Sequence, residues 1–447
     1  MFAKTAIPFG ESDSRCYNSK VMVRLTRPEA SLEEVEARSH LLSAMSTPST
    51  RPAAILGVLF LLGLIAELDY QTIPALLPLL SQSFAVDPAY AGYMVPVYSF
   101  SSGVFSLFFG SLSDHWGRIP FLKYGLVVFC VAALTAAISG ALGLFLLSRF
   151  LAGMSAGAVT TCSTSYAADY FDYHERGRAM GVLSTTYFAA AIVGVPAATQ
   201  VASRWGWQPI FLTTAVLAAV AVLLVGALVP PQPKTAGFPS PRRDLDLPAF
   251  KDSLVRFARK REILALLMAS LLSSGSVVGF ITYLGSHLNR DLNQSIDRVG
   301  LVFLLCGAFS LLGAPLSGWL SDRWGKKSLL ILSGLVLVAC LGFIPSLNWG
   351  YGLFVALACT GLAMAFRIAP LLAIITELAG SQDRGKLLAV RSTLSQLGIG
   401  GVTLAAAYCF GWGRYQAVGW LASGLMLVST VLILFLVEEP SPQKSQV

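Results

Sequence analysis

The chain has 447 residues, of which 55% are hydrophobic and 13% charged, and its mean hydropathy is +0.67. A water-soluble chain needs far more charge to cover its surface, which excludes a soluble globular fold for the main body. The net charge of +8 raises nucleic acid as a partner, but the basic residues are divided among short loops, which argues against it and for loops flanking a bilayer.

Residues 1–50 are polar and mixed in charge, with no apolar segment of a secretory kind, and are expected to form a disordered cytoplasmic tail. Within them SLEEVEARSHLL at 31–42 has the pattern of a short amphipathic helix with Ser31 and Glu34 as a capping box, and Met45 stands as an alternative start of the chain. From Arg51 onward the apolar runs predict twelve spans, at 52–82, 91–112, 121–140, 142–165, 178–202, 209–230, 262–287, 297–320, 328–347, 350–376, 387–411 and 415–437. Each is near the ~20 residues that a helix needs to cross ~30 Å of hydrocarbon. The segment 231–261, with Pro early and eight Lys or Arg, reads as a cytoplasmic linker between six-helix halves at 51–230 and 262–438, and 439–447 as a cytoplasmic tail. The loops on the linker's side carry most of the Lys and Arg, whereas those on the other side carry Arg204, Arg290, Arg298 and Arg414. Positive residues stay inside, so both termini are expected to be cytoplasmic in an inner (plasma) membrane. Six of the seven cysteines lie in apolar runs, and no metal-ligand spacing occurs, so neither a disulfide framework nor a metal site is expected.

A charged stretch, GSLSDHWGRIP at 110–120, separates the second and third runs and reads as a loop of about ten residues, with Asp114 near a helix start and Gly110 and Gly117 permitting tight turns. It recurs at 318–327 as GWLSDRWGKK. At a constant offset of 208, Gly110, Leu112, Ser113, Asp114, Trp116 and Gly117 fall on Gly318, Leu320, Ser321, Asp322, Trp324 and Gly325. Further along, Asp169 falls on Glu377, Arg176 on Arg384 and Gln208 on Gln416. This is a duplicated six-helix unit, its copies parallel because six is even, and such halves place a site between them near the midplane.

The stretch resembles the signature of the major facilitator superfamily, G-x-L-[AS]-D-R-x-G-[RK], which that family carries between helices two and three and echoes between eight and nine. Within the family the chain is most similar to bacterial drug and sugar-efflux proton antiporters. The resemblance implies an all-α membrane fold of twelve transmembrane helices in two pseudo-symmetric halves. It also implies a cytoplasmic latch formed by Gly110, Asp114, Gly117 and Arg118 with Gly318, Asp322, Arg323, Gly325 and Lys326. Arg176 and Arg384 are expected to join the same network.

Glu67 and Asp69 lie inside the first run, where a charge is expensive and faces a cavity, a partner or a wet helix end. Two residues apart, they point ~200° apart on a helix and do not share one role. The spacing from Asp69 to Leu77-Pro78 resembles an antiporter pattern, which makes Asp69 the favoured proton-linked group and Glu67 its rival. Arg149 and Gly153 match the family's R-x-x-x-G pattern, whose Arg is implicated in proton coupling, although Ala152 and Ser155 depart from it. GVPAA at 194–198 resembles G-P-x-x-G-G with Val195 interposed and alanines for the last glycines, and Gly194 with Pro196 should kink the fifth helix. Arg367 lies deep in the tenth run and falls on Val159 at the offset of 208. It is expected to meet an anionic substrate group, to pair with Asp69, Glu67 or Glu377, or to snorkel. Tyr98, Ser99, Thr185, Tyr187, Ser273, Ser274, Tyr283, Ser392 and Gln396 are candidates to line a cavity.

The expected function is secondary active export of small organic molecules by proton antiport, with the proton gradient in place of a cofactor. A small molecule, protons and the lipid bilayer are the partners, with no nucleic acid, and the chain is expected to act as a monomer. Import of a metabolite such as an organic anion or sugar by the same fold, and a non-transporting membrane sensor, are the alternatives. An enzyme is disfavoured, because there is no phosphate-binding loop and His is nearly absent from the runs.

Overall fold

The structure, a computed structural model, describes residues 52–230, 255–257, 259–378 and 384–439. The expected helix at 31–42 and the rest of the first 51 residues, most of the linker and residues 440–447 lie outside the described residues. Among the described residues every regular element is helical. Hydrocarbon offers backbone N–H and C=O groups no water, and a helix pairs them within one segment.

The first half contains α1 (Pro52–Ser83), a one-turn helix at Pro88–Ala91, α2 (Met94–Trp116), α3 (Arg118–Ala137) and α4 (Leu142–Tyr170). The fifth span, α5, runs from Tyr173–Ala189 through a π-helical turn at Ala190–Gly194 into Val195–Trp205, and α6 is Gln208–Leu228. The second half contains α7 (Arg261–Arg290), α8 (Ile296–Trp324), α9 (Lys326–Phe343) and α10 (Tyr351–Leu378). A last helical stretch, Arg384–Leu436, has 53 residues, which at ~1.5 Å per residue is far too long to cross a bilayer once. It breaks at Gly413 and Arg414, whose backbones leave the helical region, and so supplies α11 (384–412) and α12 (415–436). Twelve spans result, in the expected order.

Several helices run past the apolar stretches that announced them. The expected ten-residue loop at 110–120 is instead the last turn of α2, one hinge residue, Gly117, and the first turn of α3. Asp114 therefore lies at a helix end rather than near a helix start. Hydropathy marks where the hydrocarbon stops, and the hydrogen-bonded helix continues into the interface. Gly117 and its repeat partner Gly325 both have φ of +88°, a conformation that side chains with a Cβ resist.

Exposed Val216, Leu223 and Phe435 face outward from the bundle, as lipid-facing side chains do, while Trp116 and Trp324 ring the basic end and Trp205 and Trp412 the other. That other end, called outer below, is where the halves close on each other. A Cβ on Gly285 of α7 would sit 2.6 Å from the Pro74 carbonyl of α1, and one on Gly300 of α8 would meet Thr199 of α5. Tyr283 Oη donates to the Ala89 carbonyl at 3.5 Å, Ser203 Oγ donates to Asp297 at 2.8 Å, and Arg290 lies 3.9 Å from Asp87. Small residues let α1 and α7, and α5 and α8, approach backbone to backbone. Closure at this end makes the conformation one that opens toward the basic end.

These contacts predict that cysteines replacing Asp87 and Arg290 cross-link under mild oxidant in an otherwise cysteine-free protein. Adding Gly285→Val should lower the yield severalfold by forcing α1 and α7 apart, as read by gel mobility after cleavage between the halves.

Candidate functional site

A cavity of about 410 Å³ lies between the halves, at the midplane and on its basic side. The first half contributes Glu67 and Tyr70 from α1, Tyr98 and Ser102 from α2, Thr160 from α4 and Tyr187 from α5. The second contributes Ser273, Ser274, Val277 and Val278 from α7, Met364, Arg367 and Ile368 from α10, and Arg391, Ser392, Ser395, Gln396 and Ile399 from α11. The α10 and α11 positions recur at three, four and eight residues, so each helix turns one stripe to the cavity.

Glu67 and Asp69 part company, as their angular separation requires. Glu67 lines the cavity and accepts a hydrogen bond from Gln71 Nε2 at 3.0 Å, and Gln71 also donates to the Tyr187 carbonyl at 3.1 Å. Asp69 turns into the first half and pairs with Arg149 Nη1 at 2.9 Å, with both side chains fully buried. Arg149 also stands over the Phe145 and Phe211 rings, at 5.1 and 5.0 Å from their centroids. Neither Asp69 nor Arg149 is on the cavity lining. Tyr98 does line it, stacked on Tyr70 with centroids 5.2 Å apart.

Arg367 is buried, donating to the Leu330 carbonyl at 3.1 Å and to Ser429 Oγ at 2.6 Å, so it snorkels to no interface. It pairs with none of the expected acids: Asp69 is taken by Arg149, Glu67 by Gln71, and Glu377 by Lys326. Tyr187, Ser273, Ser274, Ser392 and Gln396 line the cavity as expected, and Gln396 reaches Ser102 Oγ at 3.5 Å. Tyr283, Ser99 and Thr185 do not. Tyr283 belongs to the outer closure, where its ring packs against Gly92, and Thr185 is exposed. Sequence reasoning missed Tyr70 and Arg391. The sign of Arg391 was a charge two turns into the eleventh span, and it was overshadowed by the basic loop just before it.

At the basic end the repeat becomes geometry. Arg118 pairs with Asp114 at 2.9 Å and with Asp169 at 2.7 Å. Their repeat partners Lys326 and Glu377 also pair, so the turn after α2 is tied to α4 as the turn after α8 is tied to α10. Arg323 stacks on Trp319 at 4.5 Å. Arg176, Arg384 and Asp322 are exposed and join none of these pairs. A Cβ on Gly110 would press on Thr161 at 3.2 Å, whereas Gly318 faces open space. In α5 the π-helical turn ends at Gly194, two residues before Pro196. Pro196 brings no N–H and crowds the preceding turn, so the helix widens there, and Gly194 leaves room for Leu68. Among the described residues no group of His, Cys, Asp and Glu is placed to hold a metal ion.

Comparison with known proteins agrees with this architecture. The chain is 25% identical over 372 residues to the uncharacterised MFS-type transporter YwfA of Bacillus subtilis, covering 81% of this chain and 87% of that one. It is 22% identical over 353 residues to the multidrug resistance protein MdtG of Salmonella typhimurium, covering 76% and 84%. The crystal structure of a D-xylose-proton symporter superposes with a TM-score of 0.72 at 18% identity, covering 86% of this chain and 98% of that one. The family model of the Major Facilitator Superfamily matches residues 59–292 and 266–447. Matched across both halves, the chain belongs to the Major Facilitator Superfamily, a family of transporters rather than enzymes.

Proposed function

We propose that the chain exports small organic molecules by proton antiport, its halves rocking about the central cavity, with the proton gradient as the only energy source. Glu67 on the cavity wall is the observation that carries this reading. It is the acidic residue of the lining, and a carboxyl there exchanges a proton without breaking a buried ion pair. Asp69 does not share that freedom, since losing its charge would strand Arg149 in the core of the first half. We therefore give Glu67 the proton and Asp69 with Arg149 the task of fixing α1 against α4.

The cavity's size falls within the ~300–1,000 Å³ of sites that hold drug-sized molecules. Its tyrosines and aliphatic side chains suit an amphipathic body better than a sugar, which needs many paired hydroxyl contacts. The relation to MdtG supports efflux as the direction. The crowding of Lys and Arg at the end toward which the cavity opens supports a cytoplasmic placement of that end, of both termini and of the ion pairs of Arg118 and Lys326, in an inner membrane. Those pairs hold each half rigid while the halves move.

In everted membrane vesicles, dye accumulation driven by an imposed pH gradient should fall to the background of protein-free vesicles in Glu67→Gln, while the purified variant keeps its thermal stability. Transport by Glu67→Gln with an unchanged pH dependence would remove the proton from Glu67. Asp69→Asn should instead lower stability by about 3–5 kcal/mol, the cost of stranding a buried charge. Adding Arg149→Met should recover most of that loss in detergent melting curves.

A further inference from the structure

The charges around the cavity do not balance. Arg391 and Arg367 both lie on the wall formed by the second half, one from α11 and the other from α10. A guanidinium stays charged at every physiological pH, so each needs a counter-charge or water. Among the described residues neither has a carboxylate within ion-pair distance, and the Nε of each is buried without a hydrogen-bond partner. Arg367 is held in place by the Leu330 carbonyl and the Ser429 hydroxyl, both uncharged. The one acidic residue of the lining, Glu67, belongs to the other half and is held there by Gln71. Even with Glu67 ionised, two cations face one anion, and protonating Glu67 widens the excess. Asp69 offers no relief, being neutralised by Arg149 inside the first half.

We infer that the cargo is an amphipathic organic anion, its acidic group bound by Arg391 with Arg367 behind it and its apolar body lying against Tyr70 and Tyr98. The inference rests on the transport reading of this cavity and names the class of molecule. An inorganic anion would satisfy the charges but leave the stacked tyrosines and the aliphatic side chains Val277, Val278 and Ile399 facing empty space. Arg391 is the discriminating residue, because Arg367 already spends two of its nitrogens on the protein. Planar guanidinium donors suit a carboxylate or a similar oxyanion, which accepts two parallel hydrogen bonds.

The test measures binding apart from transport. The full-length protein in nanodiscs is titrated with three compounds of one shape, 2-naphthoate, 2-naphthamide and 2-naphthylmethylamine, with empty nanodiscs as the partition control. The carboxylate should bind at least about tenfold more tightly than the amide, the margin of a charge-assisted pair in a partly buried site. Arg391→Gln should abolish that preference, and Arg391→Lys should retain part of it. Equal affinities, a preference for the amine, no binding by any of the three, or a preference that survives Arg391→Gln would each overturn the assignment. A gel-filtration profile matching the parent guards against a misfolded variant. Proton-driven dye flux that persists without a carboxylate preference sinks only the cargo class, whereas an intact preference with no proton-driven flux sinks antiport.

Discussion

A charge held in hydrocarbon must find a partner or a wet cavity, and the rest of the bundle is arranged around that constraint. It separates Glu67 from Asp69, which share a helix and lie two residues apart. Asp69 and Arg149 neutralise each other where no water reaches, joining α1 to α4 through the core of the first half. The cation also rests on Phe145 and Phe211, whose ring faces accept it where a hydrated head group would have no solvent. Glu67 faces the cavity instead, held by Gln71 and bound in no buried ion pair. Two carboxylates of one helical turn thus meet different surroundings, because only one of them reaches the space between the halves.

Around that centre, backbone proximity together with a few side-chain contacts holds the outer end shut. Gly285 against Pro74 and Gly300 against Thr199 leave no room for a Cβ, so the helices meet closely over short stretches. Such a seam separates at low cost in a lipid environment, where packing supplies most of the adhesion between helices. The basic end is built differently. There the ion pairs of Arg118 and Lys326 stay within their own halves and hinge on glycines of equal φ. Stiff halves with a loosely sealed outer seam are what a rocking motion needs.

The twelve spans and the duplication were legible in the sequence, but which residues pair at the basic end was not. Residues matched at the offset of 208, such as Asp169 with Glu377, turn up in equivalent ion pairs. At 110–120 hydropathy ends before the helix does, so one glycine does the work expected of ten residues. The cavity was legible only in part. Helical periodicity says that Glu67 and Asp69 diverge, but it does not say which of the two faces the partner half. Tyr283 closes a seam, and in sequence an aromatic polar residue inside a span looks the same whether it lines a cavity or closes a seam.

The duplication itself explains where to look for specificity. The frame obeys the repeat: Gly117 answers Gly325, Arg118 answers Lys326, and Trp116 answers Trp324. The buried and cavity-lining charges do not, for Glu67 falls on Gly275, Asp69 on Val277, Arg149 on Leu357, Arg367 on Val159 and Arg391 on Leu183. Two copies of one unit therefore supply a symmetric machine, and the departures from symmetry supply its chemistry. Because both unmatched cavity guanidinia sit in one half and the unmatched cavity carboxylate in the other, the cavity carries a built-in polarity. A cargo anion at Arg391 and a proton at Glu67, as proposed, would occupy opposite walls, so each would change the attraction between the halves. Binding at either wall would then act on the same rocking motion without the two ligands having to touch.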